Sequence, residues 1–333
     1  QGITSLSSIS GAGYYYLTKN VKVYAKKWEP KNGVVLDLNG YTLSSIYSGD
    51  FNNGVITIGK GVTFTLTDCN GSGNGKGIVT RDSGQNGRGV YVAGGGVFYM
   101  YGGTISGNSA KVGDPVYGGG VYVSGGTFTM NGKTTSVSNN TATNGGGVYA
   151  ASGKFNMNDG AISGNTGNGV FVHDHATFTV SKTPTVTGNT NTKNGTASNV
   201  YLMGSAYITI GKDGLNCVDG SIGVTKTTRV RSVIAENVST DYSGKFSSDD
   251  KQYVVKHEGN QLVLAASSAV THTHIWTYTA NNATITAICA NTDNLCNATN
   301  GGSVTIKAST TTHDGTEKPA TVEKSGNWQS AFP

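Results

Sequence analysis

The sequence contains little charge and little proline. Only 13% of its 333 residues are Asp, Glu, Lys or Arg, against about 25% in an average soluble domain. Proline occurs 5 times, whereas glycine occurs 50 times. So few prolines argue against a disordered Pro/Gly-rich chain, and the glycines follow no Gly-X-Y period, which excludes collagen.

The sequence also lacks the features of a nucleic-acid-binding or membrane-spanning chain. Its formal net charge is +5 and its longest basic run is Lys26-Lys27, which predicts no nucleic-acid partner. No apolar run approaches the length of a membrane-spanning helix, about 18 residues or more. Low charge with abundant Ser, Thr, Asn and Gly is typical of an extracellular surface. The start at Gln1 rather than Met is expected of a trimmed secreted protein.

A short phrase recurs five times in the middle of the chain. Its copies are Gly89–Val92, Gly120–Val123, Gly147–Ala150, Gly169–Val172 and Asn199–Leu202, with first valines 31, 27, 22 and 30 residues apart. A second phrase follows each copy, at Val97–Met100, Thr127–Met130, Lys154–Met157, Thr177–Val180 and Ala206–Ile210. A third phrase follows four of them, at Thr104–Asn108, Ser136–Asn140, Ala161–Asn165 and Thr185–Asn189.

Each phrase has the alternating pattern of a short strand bounded by Gly, Asn or Ser. Three such strands in about 22 residues make one coil of a parallel β-helix, whose core is buried only by stacking. The longer intervals place their extra residues after the third phrase, where a loop can lengthen without disturbing the stack. An antiparallel sandwich is the alternative, since pairs such as Asn131-Gly132 also form hairpin turns. It does not explain why the phrases recur in one order.

The alternation also predicts an outward column of aromatic side chains. In the first phrase, Val90 and Val92 point inward and Tyr91 outward. The equivalent residues of five consecutive coils are Tyr91, Tyr122, Tyr149, Phe171 and Tyr201. At about 4.8 Å per coil the column is about 19 Å long. Exposed aromatic rows can stack on sugars. Alternatively, the rings stack on one another and stabilise the ladder, or loops such as 111–115 cover them.

Four regions follow from these patterns. Residues 1–50 are predicted to form an N-terminal cap and the first coil, and residues 51–210 the stacked repeats. Residues 211–266 are predicted to form the last coil and cap. From residue 267 to residue 333 the composition changes to that of a small antiparallel β module.

These phrases resemble a known family. The runs Gly-Gly-Gly-Val-Tyr-Val and Phe-x-Met-x-Gly-x-Ile-Ser-Gly-Asn, together with Leu36–Leu43, resemble repeats of large adhesin-like surface proteins of anaerobic gut bacteria, which are assigned to right-handed β-helices. The segment from Thr273 through Cys289 and Cys296 to Val304 resembles the immunoglobulin-like module that often follows. The resemblance implies an all-β chain: a right-handed parallel β-helix, then an antiparallel immunoglobulin-like module. That module ends early, at Pro333, so we expect the natural chain to continue.

Polysaccharide lyases and glycoside hydrolases also use β-helices, and they need clustered carboxylates. Residues 89–210 contain no Glu, and their only Asp residues are Asp114, Asp159 and Asp174. No two of these fall on equivalent strand positions. We therefore predict no catalytic residues, no cofactor and no enzymatic activity.

The triplet His173-Asp174-His175 is the most reactive-looking group in the repeats. Two His flanking an Asp could bind zinc loosely, but a closed site needs a further ligand. The sequence shows none nearby, so a solvated turn is favoured over a metal site.

The 4 cysteines separate into two kinds. Cys289 and Cys296 flank six residues with the composition of a hairpin turn, which predicts a disulfide between them. Cys69 and Cys217 lie about five coils, or roughly 24 Å, apart, too far for a disulfide. We predict that both are buried free thiols.

Together these features predict a secreted protein of the bacterial cell surface. The expected function is that of an adhesin or stalk segment, which presents a rigid β-helix and binds host or dietary glycan or a surface protein. The first alternative is a structural spacer or filament subunit that self-associates end to end and binds no small ligand. The second alternative is a polysaccharide-degrading enzyme.

Overall fold

A computed structural model describes residues 1–25, 27–47, 53–69, 76–110, 116–226, 232–267, 276–281, 284–289, 303–307 and 321–325. The chain forms two compact units, Gln1–Ser267 and Ser268–Pro333. Almost all regular structure in the described residues is β-strand, which confirms the all-β prediction for them. The described helices are two single-turn 3-10 helices, Leu6–Ser8 and Ser243–Lys245. Neither is long or apolar enough to cross a membrane.

The first eight strands are β1 (Gly2–Ile3), β2 (Gly13–Leu17), β3 (Val21–Val23), β4 (Val34–Asp37), β5 (Thr42–Ser45), β6 (Gly54–Ile58), β7 (Thr63–Thr67) and β8 (Ile78–Arg81). The next eight are β9 (Arg88–Val92), β10 (Val97–Met100), β11 (Thr104–Ser106), β12 (Ser109–Ala110), β13 (Val121–Met130), β14 (Ser136–Ser138), β15 (Thr141–Ala142) and β16 (Val148–Ser163). The first unit ends with β17 (Val170–Val172), β18 (Ala176–Val186), β19 (Val200–Leu202), β20 (Ile208–Leu215), β21 (Ile222–Lys226), β22 (Ser232–Glu236), β23 (Phe246–Ser248), β24 (Tyr253–Glu258) and β25 (Gln261–Ala266).

Equivalent phrases pair side by side in parallel and without offset. In the first phrase, Val90 pairs with Val121, and the series continues through Val148, Val170 and Val200. In the second, the paired series is Phe64, Phe98, Phe128, Phe155 and Phe178. In the third, it is Val79, Ile105, Val137, Ile162 and Val186. The predicted parallel stacking of phrases is therefore confirmed, and the antiparallel sandwich is wrong for this unit.

The three series supply one continuous core. It is a single cluster of buried apolar side chains that extends from Ile3 to Leu264. The five phenylalanines of the second series are fully buried, and their ring centroids lie 5.8, 5.0, 5.0 and 4.9 Å apart along the stack. Each ring therefore packs against equivalent rings of the neighbouring copies of the phrase, which is why a phrase repeated at constant register builds a core.

The two ends of the stack differ. At the start, β1 pairs in parallel with β2, β2 with β4 and β3 with β5. At the far end the pairing turns antiparallel, because β25 pairs with both β22 and β24. Such a hairpin uses the hydrogen-bonding groups that a last parallel strand would leave open.

The second unit contains four described strands, which are β26 (Trp276–Asn281), β27 (Thr284–Cys289), β28 (Ser303–Lys307) and β29 (Thr321–Ser325). Each pairs antiparallel with the next. These strands therefore form one antiparallel sheet.

The cysteine predictions are partly corrected. Cys69 and Cys217 are both free, and Cys217 is buried, as predicted. Cys69 is exposed, so its predicted burial is wrong. It lies in the turn after β7, where its Sγ contacts the hydroxyls of Thr67 and Tyr14 at 3.6 and 3.7 Å. Cys296 lies outside the described residues, so the disulfide between Cys289 and Cys296 stays a prediction.

Candidate functional site

The five aromatic residues of the first phrase form one stacked column. Register places them side by side in successive coils. The ring centroids of Tyr91, Tyr122, Tyr149, Phe171 and Tyr201 are separated by 5.5, 5.4, 4.9 and 4.9 Å in turn. Their interplanar angles lie between 5° and 19°. Such stacking adds to the stability that burial alone supplies.

The centre of the column is covered, which corrects the expectation of an exposed aromatic row. Tyr149 is only 6% exposed and Phe171 only 7%. Tyr117 stacks on Tyr149 with centroids 4.6 Å apart. The guanidinium of Arg88 lies 4.4 Å from the ring centroid of Tyr122. Tyr117 comes from the segment between β12 and β13, and Arg88 is the first residue of β9. Alternation along the strands could not predict this cover, because it gives the face of a side chain and not what packs on it. Residues 111–115 lie outside the described residues.

Burial changes the acidity of the column's phenols. It raises the pKa of Tyr149 to about 12, and the neighbouring hydroxyls of Tyr117 and Tyr122 contribute in the same direction. Burial also raises the pKa of Tyr122 and of Tyr201. A phenolate at these positions would lose hydration, and at Tyr122 the nearby Arg88 guanidinium opposes this effect without cancelling it.

The column ends at Tyr201, and a cleft opens there. One neighbour of Tyr201 is the stacked ring of Phe171, but the next coil places Thr225 at the equivalent position. Two adjoining clefts, of about 740 and 230 Å³, are both bordered by Tyr201, Thr225 and Asp250. Tyr201 is thus the end ring of the column and borders both clefts.

The larger cleft has a polar lining. The insertion before Asn199 supplies Asn191, Lys193 and Asn194 to it, and the last coils supply Asp249 and Lys251. The insertion is held by local bonds, because the Asn191 Oδ1 accepts from the backbone N–H groups of Lys193 and Asn194, both at 3.0 Å. An aromatic ring therefore borders a cleft rich in amide, carboxylate and ammonium groups.

A ladder of buried asparagines leads to Asp249, which lines this cleft. The Nδ2 of each donates to the Oδ1 of the next through Asn108, Asn140, Asn165, Asn189 and Asn199, at 3.0, 3.1, 2.9 and 3.1 Å. From Asn140 to Asn199, each Oδ1 also accepts the backbone N–H of the preceding ladder residue, at 2.9 to 3.1 Å. The first four members are the last residues of the third phrase, whereas Asn199 is the first residue of a copy of the first phrase.

Asp249 terminates the ladder. Its Oδ1 accepts from Asn199 Nδ2 at 2.5 Å, and its Oδ2 accepts from Asn199 N at 2.8 Å and from Thr225 Oγ1 at 2.7 Å. Burial raises the pKa of Asp249, although these three hydrogen bonds act in the opposite direction. A carboxylate suits the end of the chain of donors because it offers acceptors only.

The three aspartates considered for catalysis do not meet in one described site. Asp159 accepts from Thr183 Oγ1 at 2.5 Å, and Thr183 is its register neighbour in the next coil. Asp174 lies in a separate turn beside His173 and His175. Asp114 lies outside the described residues. The absence of enzymatic activity stays a prediction.

Comparison of the chain with protein-family models, with curated proteins and with solved structures found no match. The geometry of the column and its cleft is therefore the basis for assigning a function.

Proposed function

We propose that residues 1–267 form a right-handed parallel β-helix that serves as a stalk segment of a bacterial surface adhesin. The second unit would be an immunoglobulin-like module of the same secreted protein. Three features support a rigid stalk: the unbroken phenylalanine stack, the aromatic column and the asparagine ladder all repeat from coil to coil. Bending such a stack separates equivalent contacts in several coils at once, so it is resisted throughout.

We further propose that the cleft beside Tyr201 binds glycan, and one observation carries this. The aromatic column ends at Tyr201 next to a cleft of about 740 Å³. The apolar face of a sugar ring stacks on an aromatic ring, while its hydroxyls exchange hydrogen bonds with amide and carboxylate groups. The Tyr201 ring, Asn194 and Asp249 border the same space. The partner would be host or dietary glycan.

The covered centre of the column supports a second candidate, a spacer that binds nothing small. Because Tyr149 and Phe171 are buried, their rings stabilise the stack rather than offer a surface. The spacer and the adhesin share the fold and differ in whether Tyr201 has a ligand. A binding experiment therefore separates them.

The experiment is a glycan array probed with the whole chain, followed by titration of each retained glycan. We expect Tyr201→Ala to weaken binding by at least about tenfold, since a stacking contact is lost. Lys251→Ala removes an exposed lining group of the same cleft and leaves the core untouched. It should weaken binding less. Tyr24→Ala is the control, because Tyr24 is 74% exposed in a different part of the unit.

The outcomes separate the candidates. Circular dichroism first establishes that each variant is folded. A folded Tyr201→Ala variant that binds as the unaltered chain does would overturn the assignment of the cleft. If the chain retains no glycan, the adhesin proposal fails and the spacer remains.

A further inference from the structure

The turn His173-Asp174-His175 differs from the equivalent turns of its neighbours. It joins β17 to β18, between the first and second phrases of its coil. The coil before it has Ala151-Ser152 at this turn, and the coil after it has Met203-Gly204-Ser205. The neighbouring turns form without His or Asp. The turn itself therefore does not require these three consecutive side chains, which are able to bind a metal.

The backbone of this turn is held by the stack. The N–H of His173 donates to Ala150 O of the preceding coil at 3.0 Å, and the N–H of Ala176 donates to His173 O at 2.9 Å. The side chains are therefore presented from a fixed support, which lowers the entropy lost when they bind an ion together.

The three side chains converge. Asp174 Oδ1 lies 2.5 Å from His173 Nδ1 and 3.6 Å from His175 Nε2. One ligand atom from each residue lies within 4.8 Å of the other two. The two imidazole rings have centroids 5.0 Å apart. His173 Nδ1 is buried, and its approach to Asp174 does not have the geometry of a hydrogen bond.

The surroundings favour a cation. Asp174 and His175 line a cleft of about 430 Å³, which Glu236 of β22 also lines. No Lys or Arg is among the described residues that line this cleft, although the ammonium of Lys226 donates to Ala206 O at its edge and interacts with Glu236. Two carboxylates and an imidazole thus border one space that is open to solvent on the turn side of the stack.

We propose that His173, Asp174 and His175 bind one divalent ion of the late first-row metals, Zn²⁺ in particular. Imidazole nitrogen and carboxylate oxygen are ligands that suit zinc, at about 2.0 to 2.2 Å. On a tetrahedral ion two such ligands lie about 3.3 Å apart, whereas the ligand atoms here lie within 4.8 Å of one another. Rotation of the Asp174 carboxylate away from His173, with closer approach of the two imidazoles, would complete the arrangement. Three protein ligands leave one position for water, and Glu236 adds negative charge from the same cleft. The site is independent of the glycan cleft and of the stalk function.

The test is calorimetric titration of ZnCl₂ into the whole chain, purified without a histidine tag. We expect one equivalent of Zn²⁺ to bind at this turn. His175→Ala is the first variant, because the His175 side chain is 76% exposed and its loss does not open the core. It should weaken binding at least about tenfold. Asp174→Asn, which keeps the size of the side chain, should weaken binding as well.

The control is the double variant His272→Ala with His274→Ala, the other His-x-His in the sequence. It should keep the binding that His175→Ala loses. The proposal is overturned if the unaltered chain takes up no Zn²⁺, if both His175→Ala and Asp174→Asn bind as it does, or if the control variant is the one that loses binding.

Discussion

At the scale of the residue, the aromatic column shows that a side chain can point away from the core and still be buried. Tyr149 alternates with inward residues along β16, yet it is 6% exposed, because equivalent rings flank it and Tyr117 stacks on it. Its hydroxyl therefore titrates unlike a phenol in water. Because the pKa of Tyr149 is raised to about 12, the stability of the folded chain should depend on pH in alkali.

We predict that Tyr149 makes the chain lose stability in alkali. The pKa of its phenol is raised above the model-peptide value of 10.0 to about 12 in the folded protein. Its contribution is therefore complete below about pH 10, where the phenol is neutral in both states. This stabilising contribution is lost as pH rises from about 10 to about 12, because the Tyr149 phenol ionises at a lower pH in the unfolded chain than in the folded one. Urea unfolding measured at about pH 8, 9.5 and 11 should show this decline.

Tyr149→Phe is the matched variant, since it keeps the ring and removes the proton. Its free energy of unfolding should fall less steeply between about pH 9.5 and 11 than that of the unaltered chain. Tyr24→Phe, at a position 74% exposed, should keep the original slope. Equal slopes for Tyr149→Phe and the unaltered chain would show that the folded state does not keep this phenol neutral.

At the scale of the element, the turn formed by the last two residues of the third phrase meets two requirements. Its first residue adopts a left-handed conformation: the φ angles of Gly107, Asn139, Gly164 and Gly188 are 71°, 55°, 67° and 67°. The next residue is the ladder asparagine, which is fully or almost fully buried. Gly or Asn at the first position supplies the unusual φ at low cost. An amide at the second supplies both a donor and an acceptor to the stack.

We predict that Asn165→Ala destabilises the first unit by about 3 kcal/mol or more. Asn165 donates to Asn189 Oδ1 and Val137 O, both at 2.9 Å. It accepts from Asn140 N at 2.9 Å and from Asn140 Nδ2 at 3.1 Å. Alanine removes all four hydrogen bonds, each worth about 0.5–1.5 kcal/mol, and it leaves the buried N–H of Asn140 without this acceptor. Urea unfolding followed by circular dichroism measures the change.

Asn216→Ala is the control. It also removes an asparagine side chain, but Asn216 is exposed beside β20. It should change the free energy of unfolding by less than about 0.5 kcal/mol. If Asn165→Ala were as mild as this control, water would have to replace the amide within the stack, and the ladder would contribute little to stability.

At the scale of the whole molecule, the chain consists of two compact units with separate sheets. The core of the first unit is one uninterrupted cluster, so damage at any coil should weaken all of it. Phe128 is a suitable probe. It is fully buried, and its ring centroid lies 5.0 Å from that of Phe98 on one side and that of Phe155 on the other.

We predict two unfolding transitions in scanning calorimetry, the larger from residues 1–267. Unfolding enthalpy scales with the number of residues, so size identifies the peak. Phe128→Ala should lower the midpoint of the larger transition, at a cost of about 3–5 kcal/mol, and leave the smaller one in place. Val218→Ala, at a residue 80% exposed, should shift neither. Movement of both peaks together in Phe128→Ala would show that the two units unfold as one.

The sequence by itself determined the strands of the repeats and their register. Identical phrases such as Phe98-x-Met100 and Phe128-x-Met130 can bury their apolar side chains and also keep their turn residues in turns only when each phrase pairs in register with the next copy. The buried face follows from alternation with a period of two residues. The aromatic column followed from the same repeat, which also places Asn108, Asn140, Asn165 and Asn189 at equivalent positions.

Only the tertiary structure decided which of these groups are covered and where the series end. Tyr149 is buried by Tyr117, which belongs to an insertion that varies between coils. The ladder ends on Asp249, 50 residues beyond Asn199 in the chain. The cleft beside Tyr201 depends on an insertion and on the last coils together. A repeat specifies the contacts between copies of itself, whereas cover, ends and clefts come from segments outside the repeat, which meet only when the chain has folded.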